Sequence, residues 1–237
     1  MNDLTKEPHI SVLIASRKNS KFLAKLLFSL LNYSTSDSIE VLCMYSAEDT
    51  WNKELIQFFS VYEDFSFYPE SYGFGRAGLH LYFNELATHA RGHWLIYFCD
   101  DHAVIYDGWD SYLLQSIEEK NVDYKKIYTI SPRFDNTGAV NHVISRGYYD
   151  HMGSLGQYGN IDSYLNFVGE ALPEDRHFYT DRALFHDFTV DTDVLSIEQT
   201  IVTAKSDKIF PGWDSVEIQN MIKQDQEKIR EGIVYGL

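Results

Sequence analysis

An α/β fold with a mixed, mainly parallel sheet flanked by helices is what three features of this sequence predict. Strand-like and helix-like segments alternate through the first half, as a parallel sheet requires. The run Trp94-Leu-Ile-Tyr-Phe98 is apolar at every position and too short for a membrane span, so it reads as a buried central strand. Hairpin-type turn signals after residue 132 add antiparallel strands in the second half. At 237 residues the chain can bury a substantial core, and we read 1–237 as one domain with a change of texture near residue 132.

Residues 9–15 form the first, β-branched strand, which stops at the polar turn Ser16-Arg17-Lys18-Asn19. Beyond it Phe22, Leu23, Leu26, Leu27, Leu30 and Leu31 recur at three- and four-residue steps, the pattern of an amphipathic helix with Ser20 as its N-cap. Residues 39–44 make a second strand, and Leu55, Ile56, Phe58 and Phe59 mark a second helix. A short strand at 65–68 leads to the turn Tyr72-Gly-Phe-Gly-Arg-Ala-Gly78 and a helix over 77–88. The spacing of a dinucleotide fingerprint is absent from that turn.

The Trp94 strand then ends in Cys99-Asp-Asp-His102. A central strand that delivers two carboxylates and an imidazole from its C-terminal end puts them where open α/β sheets bind ligands. Carboxylate oxygens suit Mg²⁺ or Mn²⁺, and an imidazole tilts the choice toward Mn²⁺. Alternation along an extended segment would let Asp100 and His102 share an ion while Asp101 points elsewhere. The competing reading makes either aspartate the cap of a following helix.

A helix over 109–119 and a strand over 127–131, ended by Pro132, follow. Asp135-Asn-Thr-Gly138 is a hairpin-type turn into a strand at 139–145, residues 147–159 read as a glycine- and tyrosine-rich loop, and 161–172 as a helix stopped by Pro173. Short strands at 177–179 and 183–186 and a closing helix over 215–231 complete the chain.

A net charge of -15 argues against a general affinity for nucleic acid or anionic membrane, and a phosphate ligand would need local cations. No run approaches a transmembrane length. Cys43 and Cys99 lie in apolar runs and read as small buried hydrophobes, which favours a reducing compartment. The first residues lack a signal-peptide pattern, so a cytoplasmic location is expected.

In order and spacing, residues 11–19, 40–49, 73–78 and 98–102 resemble the stations of the family 2-like glycosyltransferases of the GT-A fold. Ala15 stands where that family usually has proline, Tyr45-Ser46 where it has base-contacting aspartates, and His102 replaces the last aspartate of its Asp-x-Asp metal motif. The resemblance implies transfer of a sugar from a nucleoside-diphosphate donor to an acceptor hydroxyl, carbohydrate or other. It implies a Mn²⁺ or Mg²⁺ ion held by Asp100 and His102, with His186 as third ligand ahead of His177, and Asp101 toward the ribose or sugar. Ser16, Arg17, Asn19, Tyr45 and Arg76 would line the nucleotide. Asp162 would be the general base of an inverting reaction, ahead of Glu174 and Asp175, and Tyr148, Tyr149, Tyr158 and Tyr164 would face the acceptor. The alternatives are a non-catalytic sugar- or protein-binding domain on the same scaffold and a nucleotidyltransferase. The second lacks its glycine-rich basic loop after the first strand.

Overall fold

β1 (Ile10–Ser16), β2 (Ile39–Tyr45), β3 (Phe65–Pro69) and β4 (Trp94–Cys99) pair in parallel in the order β3-β2-β1-β4. Helices α1 (Ser20–Tyr33), α2 (Thr50–Phe59) and α3 (Leu79–His89) connect them. Alternate residues of each strand meet different layers. Ile10, Val12 and Ile14 of β1 join the core formed with α1 and α2, whereas Leu13 and Ala15 pack with α3. With both faces covered, β1 and β4 need apolar residues at nearly every position, which is the pattern the sequence carries. The computed structural model describes residues 9–17, 19–35, 39–46, 50–70, 78–136, 141–157, 161–169, 171–188 and 216–236, without the side chains of Thr50, Trp51 and Asp162.

The sheet continues through β5 (His102–Val104), β6 (Thr129–Phe134), β7 (Val143–Ser145) and β8 (His177–Asp187), giving the full order β3-β2-β1-β4-β7-β6-β8-β5. β7 runs antiparallel to both β4 and β6, β8 lies parallel to β6, and β5 antiparallel to β8. The β4–β7 register covers Trp94 to Ile96 only. All three residues of β7 are used in that pairing, and the chain turns after Cys99 to re-enter the sheet as β5 against the end of β8. The turn lies at the corner formed by the C-terminal ends of β1 and β4.

Several expectations are corrected. The first helix starts at Ser20 itself, and Asn19 before it spends its amide on Asp100 rather than on a cap. Pro132 lies inside β6 instead of ending it. Its missing N–H costs nothing there, because the β6–β8 register shifts between Ser131 and Arg133. The two short strands at 177–179 and 183–186 are one strand, β8, broken only by that irregularity. Residues 147–159 are not all loop, because α5 (Arg146–Met152) occupies their first half. Ser145 caps it by accepting from the Tyr148 N–H, and Gly153 ends it at φ 75°. Gly147 is needed inside it because a Cβ there would lie 2.3 Å from the Lys125 carbonyl oxygen. The next helix, α6 (Ile161–Gly169), stops short of Leu172. Thr137 and Gly138 of the expected hairpin turn lie outside the described residues, although β6 and β7 are antiparallel as that turn requires.

α4 (Trp109–Glu119) completes the α1 and α2 side, and α5, α6 and α7 (Val216–Val234) complete the α3 side. α7 carries one carboxylate into that core. Asp225, 6% exposed, accepts from both Gln157 Nε2, at 3.2 and 3.0 Å, and the Tyr164 hydroxyl, so a single side chain holds residues on both flanks of the 158–160 segment. Burial first, then the neighbouring Tyr148 and Asp225, pushes the Tyr164 hydroxyl far up, so it stays a donor. Asp225→Ala would leave the buried Tyr164 hydroxyl without its acceptor, while the exposed Gln157 amide could turn to water, and should cost about 1–3 kcal/mol in urea unfolding. Asp225→Asn, which keeps one acceptor oxygen, should lose less.

Candidate functional site at the β4–β5 turn

Asp100 and Asp101 form the turn between Cys99, the last residue of β4, and His102, the first of β5. Neither aspartate caps a helix, because a strand follows. Nor does strand alternation apply through a turn, and the carboxylates divide differently from the expected pattern. Asp100 faces back onto the end of β1. Ser16 Oγ donates to it at 2.8 Å, Asn19 Nδ2 at 3.0 Å and the Arg17 backbone N–H at 3.4 Å. Burial, then the negative charge of Asp101, raises its pKa from 3.8 to about 7, with the three donors opposing. Asp100 therefore belongs with Ser16, Arg17 and Asn19, and the four expected nucleotide or metal residues form one hydrogen-bonded unit.

His102 instead stands with Asp101, Nε2 lying 3.6 Å from Asp101 Oδ1. Its ring is 9% exposed and walled edge-on by Phe98 and Phe134, with centroids at 6.0 and 4.8 Å. Its Nδ1 makes no hydrogen bond among the described residues. Cys99 completes the group, since ligand atoms of Cys99, Asp101 and His102 all lie within 4.8 Å of one another. A nitrogen, a carboxylate oxygen and a sulfur at that spacing fit a divalent cation by donor chemistry. Cys99 was missed because it follows five apolar residues and reads as the end of their run. Its position next to Asp-Asp-His was the available signal.

The remaining candidates are spread more widely. His186 lies opposite Ala103 in the β5–β8 pair, and Asp187 lies opposite His102, so His186 and His102 point to opposite faces. Its Nδ1 is 2.8 Å from Asp135 Oδ1. His177 is at the other end of β8, bound to Thr129 Oγ1 at 2.6 Å. Tyr45 ends β2 in register with Ser16, which puts it at the same strand ends as Asp100. Arg17 also reaches toward Glu70 at 3.9 Å. Arg76, Tyr158 and the Asp162 side chain lie outside the described residues. Tyr148 and Tyr164 are core residues, 0% and 1% exposed, and offer no ring face to an acceptor. Tyr149 is only partly buried, with the Arg146 guanidinium 5.6 Å from its ring centre.

A parallel β3-β2-β1-β4 half, a mixed second half and an acidic turn at the end of β4 together match a known architecture. The fold is that of the GT-A transferases. The mannosyltransferase PcManGT from Pyrobaculum calidifontis, solved with GDP-Man and Mn²⁺, matches with a TM-score of 0.65 over 98% of this chain and 76% of its own, at 12% identity. S. aureus TarS 1-349 with UDP-GlcNAc matches with a TM-score of 0.62 over 94% of this chain and 81% of its own, at 9% identity. A longer TarS chain matches at 0.61 and 11% identity, and this chain spans 42% of its length. No family model and no curated protein matches the sequence. Among the described residues no helix is long and apolar enough to cross a membrane.

The raised Asp100 pKa makes stability pH-dependent in a definite direction. Between 3.8 and about 7 the folded protein holds a proton here that the unfolded chain releases, so the fold loses stability as pH rises through that window. Asp100→Asn can keep the Ser16 and Arg17 bonds without ionising. In chelator and without nucleotide it should unfold later than the parent at pH 8, by on the order of 2–4 kcal/mol, and the gap should shrink as pH falls and close only as pH reaches 3.8. Equal stability of the two proteins at pH 8 would show that Asp100 is not held against its charge.

Proposed function

We propose that the chain is a metal-dependent glycosyltransferase that moves a sugar from a nucleoside-diphosphate donor to an acceptor hydroxyl, with inversion at the anomeric carbon. The observation that carries the reading is the corner where β1 and β4 end. There Ser16, Arg17 and Asn19 are bound to Asp100, and Asp101 and His102 stand beside them in a GT-A fold. PcManGT and TarS, which share the fold, were solved with GDP-Man and UDP-GlcNAc.

Each residue has a role that its chemistry supports. Asp100 keeps the Ser16–Asn19 turn closed, so its backbone and the Arg17 side chain present donors to the nucleotide at a fixed place. Tyr45, at the neighbouring strand end, offers a ring for the base. Asp101 and His102 would hold the divalent ion, Mn²⁺ in preference to Mg²⁺ because of the imidazole. Such an ion would supply Lewis-acid stabilisation of the charge that develops on the leaving diphosphate. A chain with net charge -15 needs such a cation to hold a diphosphate.

Asp162 is our choice of general base. It lies in the first turn of α6, where the helix dipole favours an ionised carboxylate. There it would take the proton of the acceptor hydroxyl as that oxygen attacks the anomeric carbon. The segment leading to it is fixed at two places. Asn84 of α3 accepts from the Leu155 N–H and donates to the Gly156 carbonyl, both at 2.8 Å, and Asp225 holds Gln157 and Tyr164. Glu174 and Asp175 are exposed in the turn before β8, after the helix has ended.

Thermal shift with UDP, GDP, CDP, dTDP and their common sugars, each with and without Mn²⁺, tests the donor site. Ligand at 100 times its dissociation constant should add about 2.7 kcal/mol of stability. One nucleotide should give a Mn²⁺-dependent shift that Asp101→Asn and His102→Ala abolish, and no shift with any of them would overturn the reading. With that donor, Asp162→Asn should bind normally and turn over roughly 10²–10⁴-fold more slowly. Unchanged turnover would remove Asp162 as base.

A further inference from the structure

We infer that Cys99 is a metal ligand, and that Cys99 Sγ, an Asp101 carboxylate oxygen and a His102 ring nitrogen form a mixed sulfur, oxygen and nitrogen site for a thiophilic divalent ion such as Zn²⁺ or Co²⁺. The inference deepens the donor-site reading by adding a sulfur to its ligands, which would let thiophilic ions bind the corner more tightly than Mn²⁺, and it rests on that reading only for the ion's role.

The turn itself produces the ligand set. Cys99 is the first and His102 the fourth of four residues that reverse the chain, and such a turn brings its first and fourth residues together. Asp101, the third, is carried to the same side, whereas Asp100, the second, is drawn away to Ser16 and Asn19. The three remaining ligand atoms lie within 4.8 Å of one another, against about 3.5 Å around a tetrahedral ion, so binding would draw the side chains in by roughly 1 Å. His102 is nine-tenths buried against Phe98 and Phe134, and its Nε2 is 3.6 Å from Asp101, beyond hydrogen-bonding distance. An ion there would take a His102 ring nitrogen as ligand, and the apolar rings would exclude competing water.

The sulfur decides the preference. Mg²⁺ demands six hard oxygen ligands and gains little from a thiolate, whereas Zn²⁺ and Co²⁺ bind sulfur and imidazole together. Binding displaces the thiol proton, one per site, as the metal–sulfur bond forms. Cys43, the other cysteine, is 0% exposed inside the core, so Cys99 supplies the accessible thiol of the chain.

The full chain titrated with Co²⁺ in the absence of nucleotide should develop the near-ultraviolet charge-transfer band of a cobalt–thiolate bond. Zn²⁺ should remove the band stoichiometrically, and excess Mg²⁺ should not. Cys99→Ser, which changes one atom, should abolish it and weaken Zn²⁺ binding by more than the roughly 10–100-fold that loss of an outer-shell partner costs. In the unaltered protein, Zn²⁺ should protect Cys99 from a thiol reagent, which tests the site without any substitution. Cobalt binding without the band, a band that survives Cys99→Ser, or no protection by Zn²⁺ would overturn the inference. The two readings fail separately. A thiolate band without any nucleotide shift would leave this site standing and remove the donor reading, and a Mn²⁺-dependent nucleotide shift without the band would do the reverse.

Discussion

The Asp100 carboxylate, held at the end of β4 by three donors from the turn that ends β1, is the contact on which the site depends. Two parallel strands can leave a sheet in many directions once their ladder hydrogen bonds stop. Here the last β1–β4 pair is Ala15 with Cys99, and the next residues, Ser16 and Asp100, are joined through their side chains instead. That link sets the course of both turns. It also removes Asp100 from the corner and leaves Asp101, His102 and Cys99 to converge there. Its cost is a carboxylate kept close to a second one with little water, which is why its proton affinity rises toward neutrality.

The second half holds its own part of the corner by different means. β8 supports β5 from the side, and Asn136 locks the end of β8 by exchanging two hydrogen bonds with the Asp187 backbone. Farther along, Asn84 and Asp225 fix the approach to α6 from two helices, α3 and α7, that lie far apart in sequence. α3 packs against β1 and β2, so Asn84 ties the position of the α6 approach to the first half of the fold. The chain on either side of residues 158–160 is thus held by polar contacts to α3 and α7.

Legibility in the sequence follows how local the cause is. β1, α1, β2 and β4 were readable because strand burial on both faces and helix periodicity are written in consecutive residues. β5 was not, since three residues carry no periodicity and its partner lies at the far end of β8. α5 hid behind Gly147 and two tyrosines, although its Ser145 cap and Gly153 stop were visible letters. The Asp-Asp-His cluster was found from composition at a strand end. Its internal division was not, because alternation holds along a strand and fails in a turn, and the fate of Asp100 was set by Ser16 and Asn19 from another strand. Tyr148 and Tyr164 were misassigned for a related reason, since a tyrosine with a polar tip reads the same whether it meets a sugar or a buried aspartate.

The charge balance of the corner argues for an ion over an arginine clamp on phosphate. Among the described residues the nearby guanidinium groups already have structural work. Arg91 is bound to Glu40 at 2.9 Å, and Arg146 to the Ala90 and Gly92 carbonyls at 2.9 and 2.8 Å, both at the N-terminal end of the parallel strands. Arg182 lies against Tyr106 and Tyr112 well down β8. Arg17 is the exception at the right end of the sheet, and it is shared with Glu70. Among the described residues that leaves one shared guanidinium beside Asp100 and Asp101. On the proposed function a divalent ion would add the missing positive charge, with Asp101 among its ligands. In an acidic chain the carboxylates that alone would repel a diphosphate would then help to hold it.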